Sequence, residues 1–519
     1  MARRRTYAPR WRARLALVAA AGLTATVPAA TAWNTTFAVS ATSAHGAGWQ
    51  SGGWQGSGSG GTSATMADVA KVVGASSTAA SSLDGTGIGV ALIDTGVAPV
   101  PGLPSARIVN GPDLSLESQG STVRYLDTYG HGTHMAGIIA GYDSSVSFKG
   151  LAYKSKLTSV KVGTATGAVD VSQVIAAIDW VVKHRNDDPA NPIRVLNLSY
   201  GTPGNAPSYM DPLTFAVENA WKKGIVVVVA AGNGGSTSSL TNPGYDPFVL
   251  SVGSSAPGST PSTPGTALSS FTDTSNSQTI DMSTRTVDIA APGESIVSLR
   301  DPGSNIDTTY PGALVGTQLF RGSGTSQAAA VVSGTVALLL QKRPTMTPNQ
   351  VKALLKATAT PLTSGVGASQ GIGVINLASA LGKSASTGTQ CWLEGSGTGS
   401  LDTARGGINV YKDSNPLIGE FTMFGPFNPA VWAQQAAAET AWQGGVWMGW
   451  RMAGDGWTGT SWASKTWASA TWPGGAWDGS GSWTDDTWSG HYWSSGSWSG
   501  HYWSGHYWSS DGWATAYWG

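Results

Sequence analysis

The strongest constraint on the fold of this 519-residue chain is a near-continuous run of β-branched residues, Ile225–Val229, in the stretch GIVVVVAAGN. A run without polar alternation predicts a strand buried on both faces, as in a parallel sheet covered by helices. Further apolar runs of strand length alternate along the chain with segments of helical spacing. The strand-like runs are Ile88–Ile93, Leu157–Val162 and Val195–Leu198, and the helical segments are Val171–His184 and Pro212–Lys223. This alternation predicts an α/β fold with a mainly parallel central sheet.

Three short glycine-containing segments carry an acid, a base and a hydroxyl group, in that order. They are Asp94-Thr95-Gly96, His131-Gly132-Thr133-His134 and Gly324-Thr325-Ser326. Asp94 follows the first strand-like run, and Asn233 follows the run Ile225–Val229. Both therefore lie at the carboxyl ends of strands, which is where parallel sheets place their active sites.

These residue types fit nucleophilic catalysis. A serine hydroxyl becomes a good nucleophile when a neutral imidazole removes its proton, and a buried carboxylate holds that imidazole in the required tautomer. We therefore predict Ser326 as nucleophile, His131 as general base and Asp94 as its orienting carboxylate. The Asn233 side-chain amide and the backbone N–H of Ser326 are expected to form the oxyanion hole. Apolar stretches after His131 and Ser326 predict that both residues begin helices.

With these motifs the sequence resembles the subtilisin-like serine proteases over roughly residues 65–382. Further matching segments are NLSYG (197–201), VVVVAAGN (226–233), NPGYDPFVLSVGS (242–254) and VDIAAPGESI (287–296). The resemblance implies a three-layer α/β fold with a mainly parallel central sheet. It also implies a serine endopeptidase that acts on protein or peptide substrates.

The resemblance further implies which segments bind the substrate. The pocket for the residue before the cleaved bond would be bordered by two groups of residues, namely Ser199, Tyr200 and Gly201, and Ala230, Ala231 and Gly232. The stretch Gly167–Val171 resembles an edge strand that pairs with the substrate backbone, a mode known as β-augmentation.

No cofactor is required for this chemistry, and we assign no metal ligands. The loop at residues 141–152 is similar in length to the calcium-carrying loop of bacillary subtilisins, so a structural calcium site stays open as an alternative. Calcium needs six to eight oxygen ligands, and the loop contains no dense carboxylate cluster. His134 could bind a metal or be a hydrogen-bonded core histidine, and we expect the core histidine.

The N-terminus predicts export. Six arginines within the first 14 residues precede an apolar run from Leu15 to about Val27 and the segment Ala30-Thr31-Ala32, a pattern typical of a signal peptide. Lys plus Arg equals Asp plus Glu at 30 each, so net charge predicts no nucleic-acid partner. The only cysteine, Cys391, excludes an internal disulfide. We predict a secreted, extracellular protein, with cell-surface association as an extension of that prediction.

Composition divides the chain into five parts. They are a signal peptide (1–32), a Gly/Ser-rich linker (33–64), the subtilisin-like peptidase domain (65–382), a linker region (383–441) and a Trp-rich five-residue repeat tail (442–519).

The tail is the most unusual part of the sequence. Tryptophan recurs at steps of five from Trp442 to Trp518, apart from one step of six and one position filled by Met452. In one continuous strand, a step of five would turn successive indoles to opposite faces. We therefore expect a low-complexity, disordered or loosely solenoidal tail. It could contact cell-wall polysaccharide or a membrane surface, self-associate, or have no specific ligand. A second hypothesis follows, in which this is a surface-binding or assembly protein whose tail carries the main function and whose protease domain is self-processing or vestigial.

Overall fold

The computed structural model describes residues 63–451, except 104–106, 120–124, 204–205, 275–278, 281–282, 413–414, 423–424 and 444–445. The predicted signal peptide, nearly all of the predicted linker at 33–64 and the tail from residue 452 onward lie outside the described residues. Among the described residues, no helix combines the length and the apolarity that crossing a membrane requires.

A nine-stranded sheet forms the centre of the fold. Its strands are β1 (Gly89–Asp94), β2 (Ile108–Asn110), β3 (Lys156–Lys161), β4 (Ile193–Leu198), β5 (Val226–Ala230), β6 (Leu250–Ser255), β7 (Ile289–Pro292), β8 (Thr360–Pro361) and β9 (Gly373–Val374). They are arranged in the order β8-β9-β7-β6-β5-β4-β1-β3-β2. All neighbours pair in parallel except β8, which is antiparallel to β9. The predicted mainly parallel sheet is confirmed.

Helices cover this sheet. They are α1 (Met66–Val72), α2 (His131–Ala140), α3 (Val171–His184), α4 (Pro212–Lys222), α5 (Asn305–Thr309), α6 (Thr325–Lys342), α7 (Pro348–Thr358), α8 (Gly365–Ser369), α9 (Leu377–Gly382), α10 (Leu401–Arg405) and α11 (Pro429–Ala437). Helices α2 and α6 pack together against the sheet, and α3 and α4 form a second packed pair. The predicted three-layer α/β fold is confirmed.

Local signals explain where the covering helices begin. Asp170 accepts a hydrogen bond from the N–H of Ser172, and the side chain of Gln173 bonds back to the N–H of Asp170, which forms a capping box at the start of α3. Asp211 caps α4 in the same way through its side chain, with Pro212 as the first helical residue.

Short antiparallel strands lie outside the central sheet. They form a three-stranded sheet of Ile296–Leu299, Leu319–Gly322 and Leu314–Val315, a second one of Trp442–Gln443, Val446–Trp447 and Trp450–Arg451, and four pairs: Tyr142–Asp143 with Phe148–Lys149, Thr279–Ile280 with Ser283–Thr284, Tyr411–Lys412 with Asn415–Pro416, and Phe421–Thr422 with Gly425–Pro426. The strand Ile296–Leu299 packs against α2.

The described residues from 383 to 451 pack on the domain, whereas the sequence analysis expects a linker region over 383–441 and a tail from residue 442. Trp432, Trp442 and Trp447 are at most 2% exposed and belong to the main hydrophobic core. Composition misled because this segment contains little regular structure and much Gly and Ser. A few large side chains, whose burial depends on partners far away in the sequence, attach it to the domain.

Helix α3 supplies those partners. The indole N–H groups of Trp432 and Trp447 both donate to Asp179 Oδ2, at 2.7 and 2.9 Å. The indole N–H of Trp442 donates to the carbonyl oxygen of Ala176 at 2.7 Å. Because buried N–H groups need acceptors, these three bonds allow the indoles to be buried without leaving a donor unsatisfied.

Candidate active site

Asp94 and His131 form a buried pair at the carboxyl end of β1. Asp94 is the last residue of β1 and His131 the first of α2, and the two side chains are 1% and 0% exposed. His131 Nδ1 lies 2.8 Å from Asp94 Oδ1, and the N–H of Thr95 donates to the same oxygen at 2.8 Å. With its Nδ1–H donated to the carboxylate, the imidazole presents Nε2 as its basic nitrogen.

The close approach of α2 to the end of β1 requires glycine at the second position of the helix. A Cβ atom on Gly132 would lie 2.0 Å from the carbonyl oxygen of Gly96. The N–H of Gly132 donates to Thr95 Oγ1 at 2.9 Å. The glycines in the two sequence motifs therefore permit the contact that brings His131 to Asp94.

Asp127 fixes the first turn of α2, and sequence reasoning missed it. Its carboxylate accepts the N–H groups of Gly130 and Thr133 and the hydroxyl groups of Thr133 and Thr95, at 2.7 to 2.8 Å. Asp127 is completely buried. The signal was available, because an acidic residue just ahead of an apolar helix is an ordinary capping pattern.

Lys161 is the second residue that the sequence analysis overlooked. This buried ammonium group donates to the carbonyl oxygen of Thr95 at 2.7 Å and pairs with Glu117 Oε2 at 2.8 Å. It therefore holds the backbone directly after Asp94. A charged residue inside the apolar run Leu157–Val162 was its sequence signal, because lysine is almost never fully buried unless paired.

Ser326 lies in the first turn of α6, and its neighbour orients Asn233. The backbone N–H and the hydroxyl of Thr325 both donate to Asn233 Oδ1, at 2.9 and 3.0 Å. This assigns the amide oxygen to Thr325 and reserves the amide nitrogen for another acceptor. The unpaired N–H groups and the positive end of a helix dipole also lie at this terminus.

The residues expected to border the substrate pocket lie beside Ser326. Ser199–Gly201 follow β4 directly, and the Ser199 hydroxyl donates to the carbonyl oxygen of Ser326 at 3.4 Å. Ala230–Gly232 end and follow β5, and the N–H of Gly232 donates to Thr325 Oγ1 at 3.3 Å. Both segments are buried. Their role in substrate binding stays a prediction.

The segment Gly167–Val171 leads from a turn into α3, and its pairing with a substrate backbone stays a prediction. Val171 begins α3, and residues 167–170 form no strand pairing and are buried. The N–H of Gly167 donates to the carbonyl oxygen of Thr164 at 2.8 Å, which makes the segment part of a turn. Asp170 then caps α3 from an extended backbone conformation.

The loop 141–152 folds as a small hairpin, and its residues do not fit a calcium site. Asp143 is the only carboxylate in the loop. Its Oδ1 accepts the N–H and the hydroxyl of Ser145, at 2.8 and 2.7 Å. Calcium prefers six to eight oxygen ligands, commonly several carboxylates. Nor do the described residues include any group of three or more His, Cys, Asp or Glu side chains placed to hold a metal ion.

His134 is a core histidine, as expected. Its Nε2 lies 3.1 Å from the carbonyl oxygen of Phe320, on a strand packed near α2. Burial, together with the nearby His131, lowers the pKa of His134 to about 3. The side chain is therefore neutral at physiological pH and contributes packing and a hydrogen bond.

The chain is similar to several known proteins. The model of the Subtilase family, Peptidase S8, matches residues 85–374. Serine protease AprX of Bacillus subtilis is 40% identical over 281 residues, covering 53% of this chain and 61% of AprX. Subtilisin of Bacillus pumilus is 33% identical over 301 residues, covering 57% of this chain and 91% of that protein. The crystal structure of a cold adapted subtilisin-like serine proteinase is 28% identical, with a TM-score of 0.42, and the match covers 57% of this chain and 90% of that one.

The chain thus spans less than two thirds of AprX but most of the Bacillus pumilus subtilisin. The family match covers more than half of the chain and includes Asp94, His131, Asn233 and Ser326. This chain belongs to the subtilase family.

Proposed function

We propose that this chain is a secreted serine endopeptidase that hydrolyses peptide bonds through an acyl-enzyme on Ser326. The observation that carries the proposal is the buried hydrogen bond of 2.8 Å between His131 Nδ1 and Asp94 Oδ1. Ser326 lies in the first turn of α6, which packs against α2, and Thr325 orients the amide of Asn233. These are the groups that acyl transfer needs, placed at strand ends and helix starts.

The acylation step uses all of these groups. His131 Nε2 removes the hydroxyl proton of Ser326 as the serine oxygen attacks the carbonyl carbon of the substrate. The negative charge that develops on the carbonyl oxygen is stabilised by the N–H of Ser326 and the amide of Asn233. Collapse of the tetrahedral intermediate breaks the C–N bond, and His131 returns its proton to the leaving amine.

Deacylation repeats the sequence with water as the nucleophile. His131 takes a proton from the attacking water, and the ester bond to Ser326 breaks as His131 protonates the serine oxygen. Asp94 stays ionised throughout and stabilises the imidazolium form of His131. The side chains supply the whole reaction, so the mechanism requires no cofactor.

Export and substrate class complete the proposal. The basic and apolar pattern of residues 1–32 supports secretion, and protein or peptide chains are the substrates that this chemistry fits. Contact of the tail with cell-wall polysaccharide or a membrane surface is a separate proposal, which rests on the spacing of its tryptophans. Burial of Trp442 and Trp447 in the domain gives those two indoles a structural role instead.

A fluorophosphonate probe tests the nucleophile. We expect covalent labelling of Ser326 and loss of casein digestion in Ser326→Ala. Ser333→Ala is the matched control, because Ser333 is a buried serine of the same helix, seven residues after Ser326, and its hydroxyl donates to Asn197 Oδ1 at 2.9 Å. Labelling or full proteolysis in Ser326→Ala would contradict the mechanism.

Two truncations separate the enzyme from the competing assembly role. A chain that ends after Arg451 retains the buried Trp432, Trp442 and Trp447 and lacks only the remaining repeat. If this shortened chain digests casein, the endopeptidase hypothesis holds and the repeat serves another purpose. If the shortened chain cuts only itself, the result supports the hypothesis of a surface-binding or assembly protein. A chain that ends after Gly382 would lose core residues, so inactivity there would report unfolding.

A further inference from the structure

Two chain segments lie on either side of the catalytic strand β1 at the same edge of the sheet. The segment 163–170 follows β3 and the segment 199–202 follows β4, and both strands pair in parallel with β1. A peptide that runs away from Ser326 between these two segments would use them as its walls. What lies between them therefore limits how much of a substrate the cleft can hold.

Helix α10 of the C-terminal segment bridges these two walls. On one side, Arg405 Nε donates to Asp170 Oδ1 at 2.8 Å, and both side chains are at most 1% exposed. On the other side, the hydroxyl of Thr202 donates to the carbonyl oxygen of Ala404 at 2.6 Å. Leu401 and Ala404 are completely buried. Helix α10 therefore contacts both walls at that level.

The bridge is a fixed part of the domain. The guanidinium of Arg405 also donates to the carbonyl oxygen of Gly419 at 3.0 Å, and the N–H of Leu401 donates to Glu420 at 3.2 Å. Removing one member of a buried ion pair is strongly destabilising, because a buried charge is left without its partner. If α10 moved away, the Asp170 carboxylate would lose its ion-pair partner. The structure therefore favours a wall that stays in place.

We propose that α10 closes the upstream end of the cleft, so that the enzyme engages only about three residues on the amino side of the cleaved bond. Ser199 contacts Ser326, and Thr202, which binds α10, lies three residues further along. An extended chain advances about 3.3 Å per residue, which gives a channel of roughly 10 Å. This inference rests on the proposed function, and it assigns Arg405 and α10 as determinants of substrate length.

A substrate series tests the length limit on the full-length wild-type chain. The series consists of N-acetylated peptide p-nitroanilides with one to five residues before the cleaved bond and the same residue next to it. We expect kcat/KM to rise up to the third residue and then to stay within about twofold. A further tenfold rise with the fourth and fifth residues would overturn the inference.

A pair of variants tests whether α10 is the cause. Arg405→Ala removes the bridge to Asp170, and we expect about a tenfold gain in kcat/KM for the five-residue peptide with little change for the three-residue peptide. Arg185→Ala is the matched control, because the Arg185–Glu439 ion pair of 2.8 Å also attaches the C-terminal segment to the domain. It lies beyond the far end of α3, about 21 Å along its axis. Equal gains in both variants would overturn the assignment to α10.

The wild-type series decides the length limit even if Arg405→Ala does not fold. Failure of the proposed function gives a different result, because then no peptide of the series is cleaved and Ser326 is not labelled. If Ser326 is labelled and kcat/KM rises continuously up to five residues, the proposed function holds and the closed cleft is refuted.

Discussion

The bond from Trp432 to Asp179 offers a quantitative test of how the C-terminal segment is attached. Trp432→Phe keeps an aromatic ring in the core and removes the N–H that donates to Asp179 Oδ2 at 2.7 Å. Trp432 is completely buried, so water cannot replace that donor. A hydrogen bond to a charged group is worth about 1.5 to 3 kcal/mol, against about 0.5 to 1.5 kcal/mol for a neutral pair.

The cost of this substitution should depend on pH. Burial raises the pKa of Asp179 to about 7, against the lowering effect of the two indole donors. Because this folded-state pKa lies above the ordinary value of an aspartate, Asp179 favours the folded state at low pH, and that contribution is lost as the pH rises through about 7. Only above that pH does Trp432 donate to a carboxylate. We therefore expect Trp432→Phe to cost about 2 kcal/mol at pH 8.5 and about 1 kcal/mol at pH 5.

Urea unfolding of the Ser326→Ala chain, which avoids self-digestion, measures both costs. Trp442→Phe is the matched control, because its indole donates to the neutral carbonyl of Ala176, and its cost should be the same at both pH values. In an Asp179→Asn background the pH dependence of Trp432→Phe should disappear. An equal cost of Trp432→Phe at pH 5 and pH 8.5 would refute the reasoning from a titrating acceptor.

Three further substitutions probe the site. Asp94→Asn should lower kcat by about 10⁴, because the amide stabilises the wrong tautomer of His131; steady-state kinetics would check this, and labelling of Ser326 should slow as well, because it uses the same activated hydroxyl. Asn233→Ala should lower kcat by about 10² to 10³ with little change in KM, and a large rise in KM alone would argue against an oxyanion role. His134→Gln should lower the urea midpoint while leaving the pH profile of kcat/KM unchanged, since burial keeps His134 neutral; a shifted profile would contradict that view.

Much of the fold was predictable because its signals are local. The run Ile225–Val229 predicted a strand buried on both faces, and β5 at Val226–Ala230 is completely buried. The helical spacing of Val171–His184 predicted α3 with the same bounds. The positions of Asp94 and Asn233 after strands also followed from local pattern, because parallel strands end at the same edge of the sheet.

The missed features depend on partners that are distant in sequence. Asp127 carries a local capping signal at the start of α2, but its contact with Thr95 spans 32 residues. Arg405 reaches back 235 residues to Asp170. The local spacing of apolar residues cannot predict such a pair, because a buried charge is tolerated only when the whole fold brings its partner to it. The attachment of the segment after residue 383 could not be predicted for this reason.

The five-residue step of tryptophan has a different structural meaning from the one that a single strand predicts. In the described part of the repeat, Trp442 pairs with Trp447 across two antiparallel strands, with Gln443 opposite Val446. Directly opposite residues of an antiparallel pair project to the same face. Because the chain reverses direction between the two tryptophans, both indoles lie on the same face, although a step of five along one strand would place them on opposite faces.

Helix α3 provides a matching spacing of acceptors. Trp442 donates to the carbonyl of Ala176 and Trp447 to Asp179, two positions that lie three residues, or about 4.5 Å, apart along the helix axis. Opposite residues in an antiparallel pair have Cβ atoms about 4.5 to 5.5 Å apart. The two indoles can therefore reach acceptors on successive turns of α3 without stretching either bond. A step of five allows burial here because it places Trp442 and Trp447 opposite each other in a hairpin. Their separation then matches the distance between the two acceptors on α3.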